Sequence, residues 1–262
     1  MNSSMRTSAS GMLAQQRMVE VIANNLANVN TTGFKRSRVS FEDVLYETVR
    51  DAGSNGPRGA ETLGPIQIGK GVRVAGVLRL HAQGTPENTQ RPLDLAIDGE
   101  GLFRIERHDG TIAYTRDGSF TLDENGDLVT SSGYKVVPAI NVPQDATGVT
   151  VSPNGTVTLT LAGSSTPVDV GRLELARFVN PSGLEAIGEN QFLETVASGP
   201  AISGYAQDDG FGRVLAGTLE ASNVEIVQEM TDMIAAQRAY EINAKAIRAS
   251  EDMMSATHDL IR

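Results

Sequence analysis

Apolar residues recur every seventh position at the two ends of the chain and every second position between them. Near the N-terminus the series is Met5, Met12, Val19 and Leu26; Ala9 and Ala23 sit four residues after two of these, and Ile22 and Val29 lie three after Val19 and Leu26. A seven-residue apolar repeat predicts a helix whose stripe meets a partner in a left-handed supercoil, although an ordinary surface helix shares the spacing. At the C-terminus Ile226, Met233, Tyr240, Ile247, Met254 and Ile261 continue the step without a polar interruption, and neither Pro nor Gly occurs from Ala221 onward. Ser222 or Asn223 is placed to act as N-cap, with Glu225 favourable to the dipole in the first turn. At ~1.5 Å per residue this helix would span about 60 Å, longer than a compact domain needs, and such a seam usually meets another helix.

Between the ends the period changes to two. IQIGKGVRVAGVLRL (66–80), LDLAI (93–97), GLFRIER (101–107), TIAYTR (111–116), YKVVP (134–138), GTVTLTLAG (155–163) and VDVGRLELARFV (168–179) read as strands. Turn signals at Asp109–Gly110, Asp117–Gly118, Asn125–Gly126 and Asn154–Gly155 separate them. Short strands with local hairpins and no crossover helices indicate an antiparallel β domain. FEDVLYETV (41–49) is expected as a short helix, and DAGSNGPRGAETLGP (51–65) as a flexible loop or extended arm. The fold class is therefore α+β: a helical segment at 1–38, a short helix with arm and strands at 39–80, a β-rich domain at 81–221 and a helix at 222–262.

Charge sharpens this picture. The chain of 262 residues is 40% hydrophobic and 21% charged, within the range of folded proteins. Its net charge of −10 argues against nucleic acid as a partner, since phosphate binding needs clustered Lys and Arg. Residues 1–38 nevertheless carry Arg6, Arg17, Lys35, Arg36 and Arg38 against Glu20 alone, a net +4. Residues 223–262 carry seven acids against Arg238, Lys245, Arg248 and Arg262, a net −3, so the two ends are complementary in sign. No Cys occurs, which excludes disulfides, Cys–metal sites and thiol catalysis. No transmembrane segment and no cleaved signal peptide are expected, because no stretch has the apolar length for either.

The motifs that hint at catalysis or cofactors fall short. GPIQIGKG (64–71) approaches a phosphate-binding loop, but Gly71 stands where a hydroxyl belongs, and VRVAGVLRL alternates like a strand where a helix should follow. DENGD (123–127) lacks the Gly and the distal Glu of a calcium loop and is better read as a hairpin turn. His81, His108 and His258 lack partners at zinc-ligand spacing, and no G-x-S-x-G elbow appears. Paired acids such as Asp208–Asp209 and Glu251–Asp252 read as solvated surface on a chain with 32 acids. No enzyme, no cofactor and no metal are expected.

Several stretches carry a resemblance. ANNLANVNTTGFKR (23–36) closely resembles the N-terminal signature of the axial rod and hook proteins of the bacterial flagellum. SNVEIVQEMTDMI followed by QRAYEINAKAI (222–247) resembles their C-terminal signature. LDLAIDGEGLFRI, YTRDGSFTLDENGDLVTSSGYKVVP and GLEAIGENQFLET match in order between them, so the resemblance covers nearly the whole chain. The early MNSSM departs from the family's usual apolar start. The resemblance implies a structural homopolymer, with terminal helices forming a coiled-coil wall around a channel, the β domain outside and the arm bracing neighbours. It implies a rod crossing the periplasm, with proximal rod proteins below, hook protein above and surrounding ring (bushing) proteins. It also implies delivery by the flagellar type III export apparatus. The competing architecture is a cell-surface β-domain binding module on a helical stalk, using the 81–210 region. A peptidoglycan hydrolase is a more distant alternative.

Four Asn residues within 24–30 need a reason, since Asn is a poor helix former. Asn24 and Asn28 share a helix face away from Leu26, and Asn25 lies to one side. In a lone globular protein this is a solvated face ending near Gly33; in a polymer wall the amides would bond across subunits. The expected subunit-interface set is Met5, Met12, Val19, Ile22, Asn24, Asn25, Leu26, Asn28 and Phe34, with Ile226, Met233, Tyr240, Ile247, Met254 and Ile261. Isolated helices gain little without partners, so the ends would order on assembly unless they pair within one chain.

Overall fold

A computed structural model describes residues 3–50, 65–162 and 166–260. The chain forms two compact units: residues 1–26, 37–78 and 225–262 make the first, and residues 27–36 and 79–224 the second. The arm, the end of the 155–163 strand and Ile261 fall wholly or partly outside the described residues.

The first unit contains α1 (Ser3–Ala27), four strands and α2 (Ile226–Leu260). Strand β1 (Ser37–Asp43) pairs with β4 (Val72–Arg79), and β2 (Tyr46–Arg50) pairs antiparallel with β3 (Ile66–Gly69). The helix expected over 41–49 is absent; these residues belong to β1 and β2. Tyr46, Thr48 and Val49 favour extended backbone, and the amide of Val44 bonds to Gly71 O at 2.9 Å. At Gly71 the backbone turns with φ +118° and runs so close to α1 that a Cβ would collide with Ser10 Oγ. A strand, not a helix, follows that turn, so the near-match to a phosphate loop has no helix N-terminus behind it.

The second unit is antiparallel β throughout its described pairings. In chain order its strands are β5 (Pro86–Asn88), β6 (Leu95–Asp98), β7 (Leu102–Glu106), β8 (Ile112–Thr115), β9 (Phe120–Leu122), β10 (Leu128–Thr130), β11 (Lys135–Val136) and β12 (Ala146–Val151). There follow β13 (Thr156–Leu161), β14 (Val168–Arg172), β15 (Glu174–Arg177), β16 (Glu185–Gly188), β17 (Gln191–Leu193), β18 (Ile202–Tyr205), β19 (Arg213–Ala216) and β20 (Thr218–Glu220). A nine-stranded sheet runs β16-β17-β8-β7-β11-β10-β9, with β15 joined to β7 and β18 joined to β15. A three-stranded sheet β12-β13-β14 and the pairs β6–β19 and β5–β20 complete the unit.

Strand β7 shows why this region folds. Phe103 points into a large core with Phe120, Leu173 and Leu175, where it meets Phe120 edge-on at 5.1 Å, and Ile105 is fully buried. Leu102 points the other way, into a smaller core where Tyr114 meets Phe178 edge-on at 4.8 Å. With both faces covered, the strand reads as a near-continuous apolar run.

Candidate functional site

In the first unit α1 and α2 lie antiparallel, and three contacts set their register. Ser4 Oγ is 3.3 Å from Ser250 Oγ. A Cβ placed on Gly11 would sit 2.9 Å from the Asn243 amide nitrogen. Asn25 Nδ2 donates to Glu229 Oε2 at 3.0 Å. From Ser4 to Gly11 is one heptad forward along α1, and from Ser250 to Asn243 one heptad back along α2; Gly11 to Asn25 and Asn243 to Glu229 are two heptads each. The three contacts keep a seven-residue step and are made by small or polar residues; the same step passes through the half-buried Met18 on α1 and the buried Ala236 on α2. At Gly11 a side chain would collide with the Asn243 amide, and the Asn25–Glu229 hydrogen bond fixes the other end of the contact.

Asn25 answers much of the Asn question. It is buried, donates to Ser37 O at 2.9 Å and to Glu229, and accepts from Ser37 N at 2.8 Å. One amide thereby joins α1, the first residue of β1 and α2, all within one chain. Asn28 accepts from Thr31 Oγ1 at 3.2 Å in the turn after α1, and Asn24 lies on the exposed side of the helix.

The other expected interface residues divide by position. Ile22 is buried. Met5, Met12, Val19, Leu26, Phe34, Met233 and Ile247 are half-buried. Ile226, Tyr240 and Met254 are exposed, each above 40%. The apolar series therefore flanks the intrachain contact line instead of forming it. Val227, Met230 and Ile234 add to the exposed apolar face at the start of α2, with Val227 at 79% exposure. The β2–β3 ribbon likewise exposes Tyr46, Val49, Ile66 and Ile68, and Leu45 just before it. Isolated apolar residues on a surface need no explanation, but groups of this kind mark contact surfaces. The helices carry the short-range ion pairs Arg17–Glu20 and Arg238–Glu241.

The second unit holds a buried ion cluster that periodicity did not reveal. Glu220 Oε1 accepts from Lys35 Nζ at 2.5 Å and from the Gly84 amide at 2.8 Å, and its Oε2 accepts from Arg116 Nε. Arg116 also donates to the carbonyls of Ile97 (2.7 Å), Gly99 (2.8 Å) and Gly101, and Lys35 to Ala82 O at 2.7 Å. Two cations thus share one carboxylate. Burial alone would raise the Glu220 carboxyl, but Arg116 and Lys35 hold it below its ordinary value. Burial lowers Lys35, which Glu220 opposes. Close by, Asn223 accepts from Arg36 N at 2.7 Å and donates to Leu80 O and Ala82 O at 2.9 and 3.0 Å. It is therefore not an N-cap: α2 begins at Ile226, because Asn223 is occupied with the strand connections. Lys35, Arg36, Glu220 and Asn223 mark the chain stretches where it passes between the two units. Nothing in the local period or motifs around these residues signals the cluster.

The remaining motifs have structural explanations. Asp123 Oδ1 accepts from the amides of Asn125 and Asp127, closing the DENGD turn. His108 lies against the Tyr134 ring at 5.0 Å. Among the described residues no group of three or more acids or histidines could hold a metal, and no helix is long and apolar enough to cross a membrane.

Comparison with known proteins places these features. Residues 5–35 match the family model for flagella basal body rod proteins. Residues 96–159 match the flagellar hook protein FlgE/F/G D1 domain. Residues 215–260 match the flagellar basal body rod FlgEFG protein C-terminal model. The chain is 48% identical to the flagellar basal-body rod protein FlgG of Borreliella burgdorferi, over 98% of this chain and 97% of that one. It is 49% identical to the FlgG of Caulobacter vibrioides, over 98% of each. The chain belongs to the flagellar basal-body rod protein family. Within this rod family it is 35% identical to the Caulobacter vibrioides rod protein FlgF, over 100% of this chain and 96% of that one. The N-terminal match takes in most of α1 and the turn after it, the C-terminal match takes in β20 and α2, and the D1 match covers most of β6 through most of β13.

Proposed function

We propose that the chain is a structural subunit that polymerises helically into the distal rod of the bacterial flagellar basal body, the shaft carrying torque from motor to hook. The observation that carries this reading is full-length similarity to rod proteins: in one organism, Caulobacter vibrioides, identity is 49% to FlgG against 35% to FlgF. The geometry supports it. The α1–α2 seam is closed by small and polar residues, leaving Ile226, Val227, Met230 and Ile234 outward. An apolar face of this kind suits the coiled-coil wall of a polymer, in which each copy covers the next. The interface set from Met5 to Phe34 and from Ile226 to Ile261 belongs to this proposal, as does the bracing role of the arm. Further copies, proximal rod and hook proteins, ring proteins and the type III export apparatus are its partners, and the periplasm-spanning rod its place.

The test is sedimentation of the full-length protein over a range of concentrations, beside Val227→Asp/Ile234→Asp. Wild type should build open-ended species whose size rises with concentration, as head-to-tail contacts require. The double variant should remain small with its β circular dichroism unchanged. A closed oligomer of fixed size, unaffected by the substitutions, would overturn the proposal.

A further inference from the structure

The second unit contains a groove of about 670 Å³ beside the ion cluster of Lys35, Arg116 and Glu220. One wall is apolar, built by Leu102, Phe178, Val179 and Ile202; Val179 is 81% exposed and Ile202 40%. Three cations, Lys35, Arg116 and Arg177, also line the groove beside the neutral His81; Glu220 is paired with the first two and Glu100 lies 3.6 Å from the third, which leaves a net positive charge. This concentration of basic groups stands out on a chain with 22 Lys and Arg, 32 acids and a net charge of −10.

The cationic lining is built in advance. Arg116 is fixed by backbone carbonyls and Glu220, and Lys35 by Ala82 O and Glu220. Because these groups are already oriented, an incoming carboxylate would feel their field without reorganising them. Arg177 reaches the rim, where its guanidinium also approaches the Phe211 ring. The His81 ring packs on Phe192 at 5.5 Å, below Arg79, which lies over the same ring.

We propose that this groove receives a carboxylate-bearing segment of a second copy of the chain, its apolar part on the Val179–Ile202 shelf and its acid toward Arg177 and His81. The proposal rests on the polymerising role above and names a contact within it. Charge complementarity identifies the occupant: a chain of net −10 presents an acidic surface to its neighbour, and this groove carries the opposite sign. The groups facing His81 are Lys35, Arg79 and Arg116, with Glu220 behind the first and last of these, and Gln83, Arg177 and Glu100 around the groove. Burial and the three cations push the imidazole down to about 4. A bound carboxylate raises it, so docking takes up a proton and strengthens as the solution is acidified.

Absence of Cys makes the test clean. Val179→Cys in the full-length protein is labelled with a benzophenone maleimide, assembled, irradiated and digested. The expected result is a crosslink, seen only in assembled material, joining residue 179 to an Asp- or Glu-containing peptide of another copy; isotope-mixed subunits separate this from intrachain products. In parallel, Val179→Glu/Ile202→Glu should raise the critical concentration about tenfold, the size of a modest hot spot. His81→Gln should remove the gain in assembly between pH 7 and pH 5. If wild type polymerises while the crosslinks are only intrachain and both variants behave as wild type, the groove proposal fails and the structural-subunit reading survives. If wild type does not polymerise, both fail.

Discussion

The core of the second unit and the α1–α2 seam of the first are closed by opposite chemistry. The core packs Phe103, Phe120, Leu95, Ile97 and Leu175 together out of solvent. The seam sets Ser4, Gly11 and Asn25 against Ser250, Asn243 and Glu229, with Ala14 and Ala236 buried on the same two helices. Apolar packing stabilises through area and is tolerant of small shifts; hydrogen bonds and a close approach at Gly11 specify a register with little area behind it. The large apolar core lies in the second unit, while on α2 the apolar Ile226, Val227, Met230 and Ile234 stay exposed.

The comparison breaks most visibly at Phe103→Ala. Removing a fully buried aromatic should cost about 4 kcal/mol, read as a lower denaturant midpoint of the β transition, with the helical signal at 222 nm largely unaltered. Acid sharpens the contrast next. His81 in the second unit has its folded-state pKa depressed from 6.5 to about 4. Its contribution is fully present above pH 6.5, declines as pH falls, and is gone below about 4, a loss of up to ~3 kcal/mol in the β transition of unassembled protein. His81→Gln should flatten that pH dependence. Asn25→Ala should cost about 2 kcal/mol, since three hydrogen bonds go and the Glu229 carboxylate loses a buried donor. The loss should appear as faster amide exchange along α1 and α2, with protection in β7 unaltered. Arg238→Ala, which removes an exposed ion pair with Glu241, should change either unit by less than ~0.5 kcal/mol. If Asn25→Ala lowered the β midpoint as much as Phe103→Ala does, the division of labour between the regions would be mistaken.

Much of the architecture was legible in residue order. Helical ends, an antiparallel β middle and the hairpin turns at Asn125–Gly126 and Asn154–Gly155 all follow from local period and turn chemistry. Residues 41–49 misled because five apolar positions in nine resemble a helix turn when read without their neighbours; the pairing of β1 with β4 and β2 with β3 overrides that preference. Asn223 misled for a related reason, because an N-cap and a bridging amide look alike in sequence. The ion cluster of Lys35, Arg116 and Glu220 was not legible at all, since its members lie 81 and 104 residues apart and share no motif.

The sequence by itself determined the two terminal helices, the antiparallel β character of the middle and the family, because helix and strand periods, turn residues and terminal signatures are local and survive without a partner. Only the tertiary structure decided the phase of the helix seam. Every seventh residue is the same statement for Met5 and for Ser4, and period does not say which line of a helix faces inward. The answer came from close approach: Gly11 leaves room for the Asn243 side chain where any Cβ would collide with it. Once they meet there, Asn25 reaches Ser37 and Glu229, and the apolar line is left to the side.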